Sequence, residues 1–374
     1  MKASTKKQEA LDREEQYFIA TQWQLIKRKF VSHKLALVGG GLLIVLYLTA
    51  LFGEFFASYD SFHRFADYPM APPQRIRIFD KGKLNIRPFV YGFDRYRDPE
   101  SLRWRFTVNQ TKKYPISFFV HGDEYRLLGL LKTDIHLFGV EDEEGSIFLF
   151  GTDKLGRDLF SRNIIAARIS LTIGLVGVAL SFVLGCLLGG ISGYYGGAID
   201  TFIQRLIEFL ISIPSIPLWM ALAAVLPHDW PPIRIYFGIT IILSIVGWTS
   251  LARVVRGKLL EVREADFVMA AVISGAKEHE IIRKHLLPSF LSYLIVHVTL
   301  SIPRMIIAET ALSFLGVGIQ PPAISWGALL QSAQNVRSIE QAPWLFIPGL
   351  FIVITVLSYN FVGDGLRDAA DPYK

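Results

Sequence analysis

The feature that most constrains this chain is where its charges are missing. Residues 35–53, between Lys34 and Glu54, contain no Asp, Glu, Lys or Arg, and the same holds for 169–199, 209–228, 235–252, 285–303 and 341–363. A helix that crosses a hydrocarbon core of about 30 Å needs roughly 20 mostly apolar residues. Six such runs predict an all-α polytopic membrane protein with six transmembrane helices. Charged residues make up only 19% of the 374, against about 25% in soluble domains. Disorder, a coiled coil and a secreted disulfide scaffold are excluded. The single cysteine, Cys186, lies inside an apolar run, which leaves no intrachain disulfide and no multi-cysteine metal site. The net charge of +6 is read through topology. No basic stripe with interleaved aromatics is present, and no nucleic-acid partner is expected.

Charge also orients the segments. Residues 1–34 carry eight Lys/Arg against four acids, and Ile19, Trp23, Ile26 and Phe30 recur at helical spacing beside Lys27, Arg28 and Lys29. This predicts a cytoplasmic amphipathic segment lying on the membrane surface, with a solvated helical tail as the plainer reading. The first span falls in 35–57. A signal peptide is not expected, because the polar stretch is long and Glu54 interrupts the place of a cleavage site. Residues 58–150 read as a β-rich extracytoplasmic insertion between spans 1 and 2, with alternating stretches at 75–79, 104–108, 116–120 and 147–150 separated by prolines. A segment of that length translocates largely regardless of its 14 basic residues. The core, 151–363, then holds spans near 169–192, 203–226, 235–252, 289–311 and 343–362, with a glycine turn at 193–197. Residues 310–336 are also free of charge, but Gln320, Pro321, Pro322, Ser325 and Gln331 make them too polar and broken for a span. They read as a re-entrant or interfacial segment. The loop 253–288 holds seven Lys/Arg, as a cytoplasmic loop should, and the tail 364–374 ends on the same side. Both termini are expected in the cytoplasm.

No nucleotide-binding P-loop, metalloprotease helix or nucleophile elbow is visible. His228, His279, His285 and His297 lack ligand spacing, so neither a catalytic nor a metal site is expected. The most informative stretch is 264–287, where small residues and a glycine separate two helical patterns. It reads as a helix–turn–helix in which Ala270 and Ala271 permit close approach by another protein and Gly275 permits the turn. A loop folded onto its own spans is the alternative.

This loop resembles the coupling motif of ABC-importer permeases, E-A-A-x3-G-x9-I-x-L-P. Ala270, Ala271, Gly275, Leu287 and Pro288 fall on it. Met269 stands at the position of the motif's Glu and His285 at that of its Ile. Further stretches are similar to the C-type permease subunit of oligopeptide/dipeptide importers: 151–162, then 167–171, the glycines before Asp200, 309–316, Pro321 and Pro322 with 325–327, and 365–368 with Asp371 and Pro372. The similarity covers roughly 17–57 and 150–374 and says little about 58–150.

The resemblance implies an ABC-importer permease fold and a transport subunit without catalysis of its own. Its partners would be a homologous B-type permease subunit, two ATPase subunits carrying ATP and magnesium, an extracytoplasmic substrate-binding protein and the lipid bilayer of a prokaryotic plasma membrane. No cofactor is expected on this chain. ATPase coupling is assigned to Glu264, Asp266, Ala270, Ala271, Gly275, Lys277 and Pro288. The translocation pathway or gate is assigned to Pro214, Pro217, Pro303, Arg304, Glu309, Ser313 and Phe314. Arg304 and Glu309 are not expected to pair with each other, being about 140° apart on a helix. Binding-protein docking is assigned to Asp153, Arg157, Asp158 and Arg162, with an internal ion-pair network as the alternative. The glycines of span 2 are expected to serve helix packing. Peptides are the expected cargo, with oligosaccharides, opines or nickel chelates as alternatives within the family. From a different class, a membrane-anchored ligand sensor or scaffold using the 58–150 domain is the other reading.

Overall fold

The computed structural model describes residues 22–370 apart from 81–82, 100–103, 143, 228, 263, 278–279, 287–289 and 336–339. Helix α1 (Gln22–Ser32) leads into α2 (Lys34–Leu51) and a single-turn α3 (Gly53–Phe56). Five strands follow: β1 (Arg77–Asp80), β2 (Lys83–Arg97), β3 (Trp104–Pro115), β4 (Ser117–Leu127) and β5 (Leu131–Gly139). The rest is helical: α4 (Leu159–Tyr195), α5 (Gly197–Ser212), α6 (Ser215–Ala223), α7 (Pro232–Val262), α8 (Asp266–Ile273), a π turn at Ile281–Leu286, α9 (Leu291–Phe314), α10 (Trp326–Gln331), and α11 (Ile347–Ala370) after a 3-10 turn.

Helices α2, α4, α7, α9 and α11 are each long and apolar enough to cross a membrane, and α5 with α6 passes the same test as a pair bent by 88°. The sequence alone predicts one continuous span near 203–226. The chain instead breaks at Ile213 and Pro214, which have extended backbone, and Pro214 caps α6. Pro217 lies in the first turn of α6, where a missing N–H costs nothing. Helix α4, at 37 residues, is about 55 Å long, well beyond the roughly 30 Å of a hydrocarbon core.

Glycine spacing sets the tightest helix pair. Gly185, Gly189 and Gly193 recur every fourth residue on one face of α4, against α7. A Cβ built on Gly189 would lie 2.5 Å from the Ala252 carbonyl oxygen, and one on Gly193 would lie 3.0 Å from that of Arg256. Gly174 faces Ile302 and Ile306 of α9 in the same way. Without Cβ atoms the backbones approach, and packing replaces the hydrophobic effect as the attraction inside lipid. Gly193 therefore belongs to this seam; the turn itself is made by Gly196 and Gly197, both at positive φ. The first and last of the long helices also meet. Gly39 of α2 lies against Ser358 of α11, and the Tyr47 and Tyr359 hydroxyls are 2.5 Å apart.

The β-rich block comprises an antiparallel sheet β1–β2–β3 and a hairpin β4–β5. It sits over one end of the helix bundle, called here the β end. Strands β2 and β5 go beyond the stretches expected from alternation, while 147–150 forms no strand. Ile147 and Phe148 are instead buried in the block's core, and 149–150 form a turn. The block is tied to the bundle by buried polar contacts. The Ser161 hydroxyl, in the first turn of α4, accepts from the backbone N–H groups of Ser58 and Tyr59. His136 Nδ1 lies 2.6 Å from the Ala57 carbonyl.

Candidate functional site

Three places in the bundle bear on function. The first is the turn that enters α4. Asp153, expected on an exposed docking face, is buried with Asp158 and Arg162. Its carboxylate accepts from Arg157 Nε at 2.8 Å, from Arg162, and from the backbone N–H groups of Leu155 and Arg157. Asp158 caps α4 by accepting from Ser161 N at 2.7 Å. Burial pushes its carboxyl up to about 6, against the opposing pull of the Ser161 hydrogen bonds. Gly151 and Gly156, both at positive φ, press on the Ala71 and Phe65 carbonyls so closely that no side chain fits. The motif at 151–162 is thus an internal clamp between the β block and α4. The docking assignment to Asp153, Asp158 and Arg162 is corrected, because a partner cannot reach side chains that this chain already encloses.

The second place is the opposite end of the bundle. Helix α8 rests on the ends of α7 and α9: Val268 and Ala271 are buried among Leu251, Val255, Leu259, Ile281, Phe290 and Leu294. Ala270 is exposed and so are Phe267, Met269 and Ile273, the last 83% exposed. Of the residues assigned to coupling, Glu264, Asp266, Ala270, Gly275 and Lys277 are at the surface. Ala271 is a correction: it faces inward and anchors the helix. Pro288 lies outside the described residues. Gly275 has φ +79 and nothing within 4 Å of a built Cβ, so its requirement is backbone conformation and not crowding. Sequence reasoning missed the large apolar side chains of this face. Met269 was visible only as a departure from the motif.

Beside α8, Asp200 of α5 receives a two-pronged ion pair from Arg256 of α7, with both N–O distances 2.5 Å. The Ser192 hydroxyl donates to the same carboxylate and accepts from Gln204. This joins α4, α5 and α7 where α8 is attached. Two-pronged geometry is what distinguishes such a pair from an ordinary surface contact.

The third place is a cavity of about 190 Å³ halfway along the helices, walled by α4, α6, α7 and α9. Of the residues assigned to the pathway, Arg304 lines it; Pro214, Pro217, Pro303, Glu309, Ser313 and Phe314 do not. Glu309 is fully buried, and its Oε1 accepts from the Ser313 hydroxyl at 2.6 Å. That hydroxyl accepts in turn from Ile319 N at 2.8 Å. Gly327 brings α10 onto Thr310 and Ser313, with a built Cβ 2.7 Å from the Thr310 carbonyl. Glu309 and Ser313 therefore fasten the non-helical return after α9. Their gate assignment is corrected, since the side chains point into this packing and away from the cavity. Arg304 and Glu309 do not pair, as expected from their angular separation.

With this geometry in view, comparison with known proteins identifies the chain. Residues 181–373 match the family described as binding-protein-dependent transport system inner membrane component. The chain belongs to that family. Residues 21–73 match a second family, the N-terminal TM domain of oligopeptide transport permease C. The permease is 41% identical over 225 residues to a dipeptide transport system permease protein of Bacillus subtilis, covering 60% of this chain and 68% of that one. It is 39% identical over 241 residues to an oligopeptide transport system permease protein of Haemophilus influenzae, covering 64% and 75%. Among solved structures, inward-facing conformations of the MetNI methionine ABC transporter are similar over 56% of this chain and 96% of that chain, at 19% identity and a TM-score of 0.45. The chain is thus a multi-pass inner-membrane permease subunit and not an enzyme. In this family ATP hydrolysis belongs to partner ATPases, and permeases work in general with a partner permease and a substrate-binding protein.

Proposed function

We propose that this permease carries peptides inward, as one half of a translocation pathway, and that α8 is the surface on which an ATPase acts. The carrying observation is that α8 is buried on one face only. Val268 and Ala271 fix it to α7 and α9, while Phe267, Met269 and Ile273 project outward. A helix held on one face and apolar on the other transmits a push as a rigid body to the spans beneath it. The peptide cargo is supported by the names of the relatives that match over the spans. The sensor reading has less support, because the family match falls on the helices and outside the β block.

In this reading the pair α5–α6 counts as one crossing. It starts beside Arg256, near the α8 end of α7, and finishes where Leu226 touches Gly238, near the β end. Six crossings put both termini in the cytoplasm and the β block outside, as the basic residues around α1 and in 253–288 favour. The partners are a B-type permease, two ATPases holding ATP and magnesium, and a binding protein that meets the outer face.

The test is reconstitution of the permease with its candidate partners in proteoliposomes. ATP-dependent uptake of a labelled peptide is expected, and Ile273→Glu should lower ATPase co-purification while leaving membrane insertion intact. Undiminished co-purification and uptake in that variant would sink the coupling assignment.

A further inference from the structure

The mid-span cavity has a chemical sign. On α9, His297, Ser301 and Arg304 follow one another at intervals of four and three, which puts them on one face of the helix. All three line the cavity. They extend over roughly 10 Å along the helix axis, about the reach of three extended residues. Across from them stand Ser181 and Ser250, and Trp219, whose indole N–H is buried without a partner among the described residues. The remaining wall is apolar. No carboxylate lines it, and among the described residues no acid pairs with Arg304. Arg304 is itself exposed, so it stands at the open side of the cavity, and a guanidinium midway along a spanning helix costs a few kcal/mol unless water or an anion meets it. The cavity therefore presents donors and one fixed positive charge to whatever enters.

We propose that this cavity is a way-station for the C-terminal carboxylate of the transported peptide, and that Arg304 receives it. The assignment rests on the peptide reading given above. Arg304 donates to the carboxylate oxygens, while the serine hydroxyls and the Trp219 N–H meet the peptide's carbonyl groups. The neutral apolar wall tolerates different side chains. The site selects for a terminal charge that all unmodified peptides share and for little else.

The experiment uses the full transporter in proteoliposomes, with trialanine and trialanine amide as labelled probes. The ratio of acid to amide uptake is compared between wild type and variants, so that any preference of the binding protein cancels. Arg304→Gln is expected to lower kcat/KM for trialanine by about 10-fold or more, the scale of a lost charge-assisted hydrogen bond. Amide uptake should fall clearly less than acid uptake, and unchanged ATPase co-purification and thermal melting report that the variant is folded and assembled. Arg304→Lys should recover most of the acid uptake. If Arg304→Gln lowers acid and amide equally, Arg304 serves packing or pairs with an acid of the partner permease, and the assignment falls. If neither changes, it falls as well. If wild type transports neither probe, the peptide reading itself fails and takes this assignment with it.

Discussion

Two neighbouring glycines of α4 should respond to the same substitution in opposite ways. Gly189 lies under the backbone of α7, where an added Cβ would stand 2.5 Å from the Ala252 carbonyl oxygen and 2.8 Å from its Cα. Ordinary contact begins near 3.4 Å, so Gly189→Ala forces the helices about 0.9 Å apart. The atoms in the way are backbone and cannot rotate aside. Overpacking of this kind costs about 1–3 kcal/mol. Gly190 turns toward Ile282, with a built Cβ 3.9 Å from its nearest neighbour. Gly190→Ala meets no obstacle and keeps the gain of up to about 1 kcal/mol that alanine brings to a helix. The expected gap between the variants is roughly 2 kcal/mol, more than tenfold in an unfolding equilibrium. Thermal melts in detergent, followed by size-exclusion chromatography, should rank Gly190→Ala at or above wild type and Gly189→Ala below it. Transport should follow the same order, because the α4–α7 seam supports both the cavity and the base of α8. Equal loss in the two variants would refute the account of the seam.

Other outcomes follow from the same geometry. Gly275→Asp should insert normally yet lose ATPase co-purification, because φ +79 is costly for a residue with a Cβ. Gly275→Asn, the uncharged isostere with the same Cβ, should also lose co-purification; full retention in Asn beside loss in Asp would point to charge and away from backbone. Asp158 has a folded pKa raised from 3.8 to about 6 by burial, so the fold binds its proton more tightly than the unfolded chain does. Its contribution to stability is fully present below about pH 4 and falls as pH rises toward 6, by at most about 3 kcal/mol. Asp158→Asn should flatten that slope in melts between pH 4 and 7, and parallel curves for variant and wild type would contradict it.

Charge-free runs located the helices but misjudged their ends, for one physical reason. Helix α4 begins at Leu159, ten residues before its charge-free run, because Arg162 and Arg168 are already paired with Asp153 and Glu54. Helix α7 runs on to Val262 for a similar cause, the pairing of Arg256 with Asp200. Counting charges treats each as a solvated group, and partners 56 or 114 residues away leave no local mark. The 151–162 motif pairs locally, Asp153 with Arg157 and Arg162, and its spacing does not say whether that network is enclosed or exposed. Strand β2 escaped notice because Pro88 and Gly92 interrupt its pattern; a register shift between Tyr91 and Gly92 absorbs the irregularity. Arg304 was conspicuous as a charge inside an apolar segment. Its cavity was not, because the wall is assembled from four helices distant in sequence.

The contact between α2 and α11 has a consequence for how the chain is made. Tyr47 and Tyr359 are 312 residues apart. At a synthesis rate of about 5–20 residues per second, α2 enters the bilayer roughly 15–60 s before the helix that covers its Gly39 face has been translated. For that interval its groove is open to lipid or to whatever chaperone or insertion machinery stands beside it. The bundle closes only once α11 has been made, so a ribosome stalled before α11 leaves behind a span with an unfilled face that quality-control proteases can recognise.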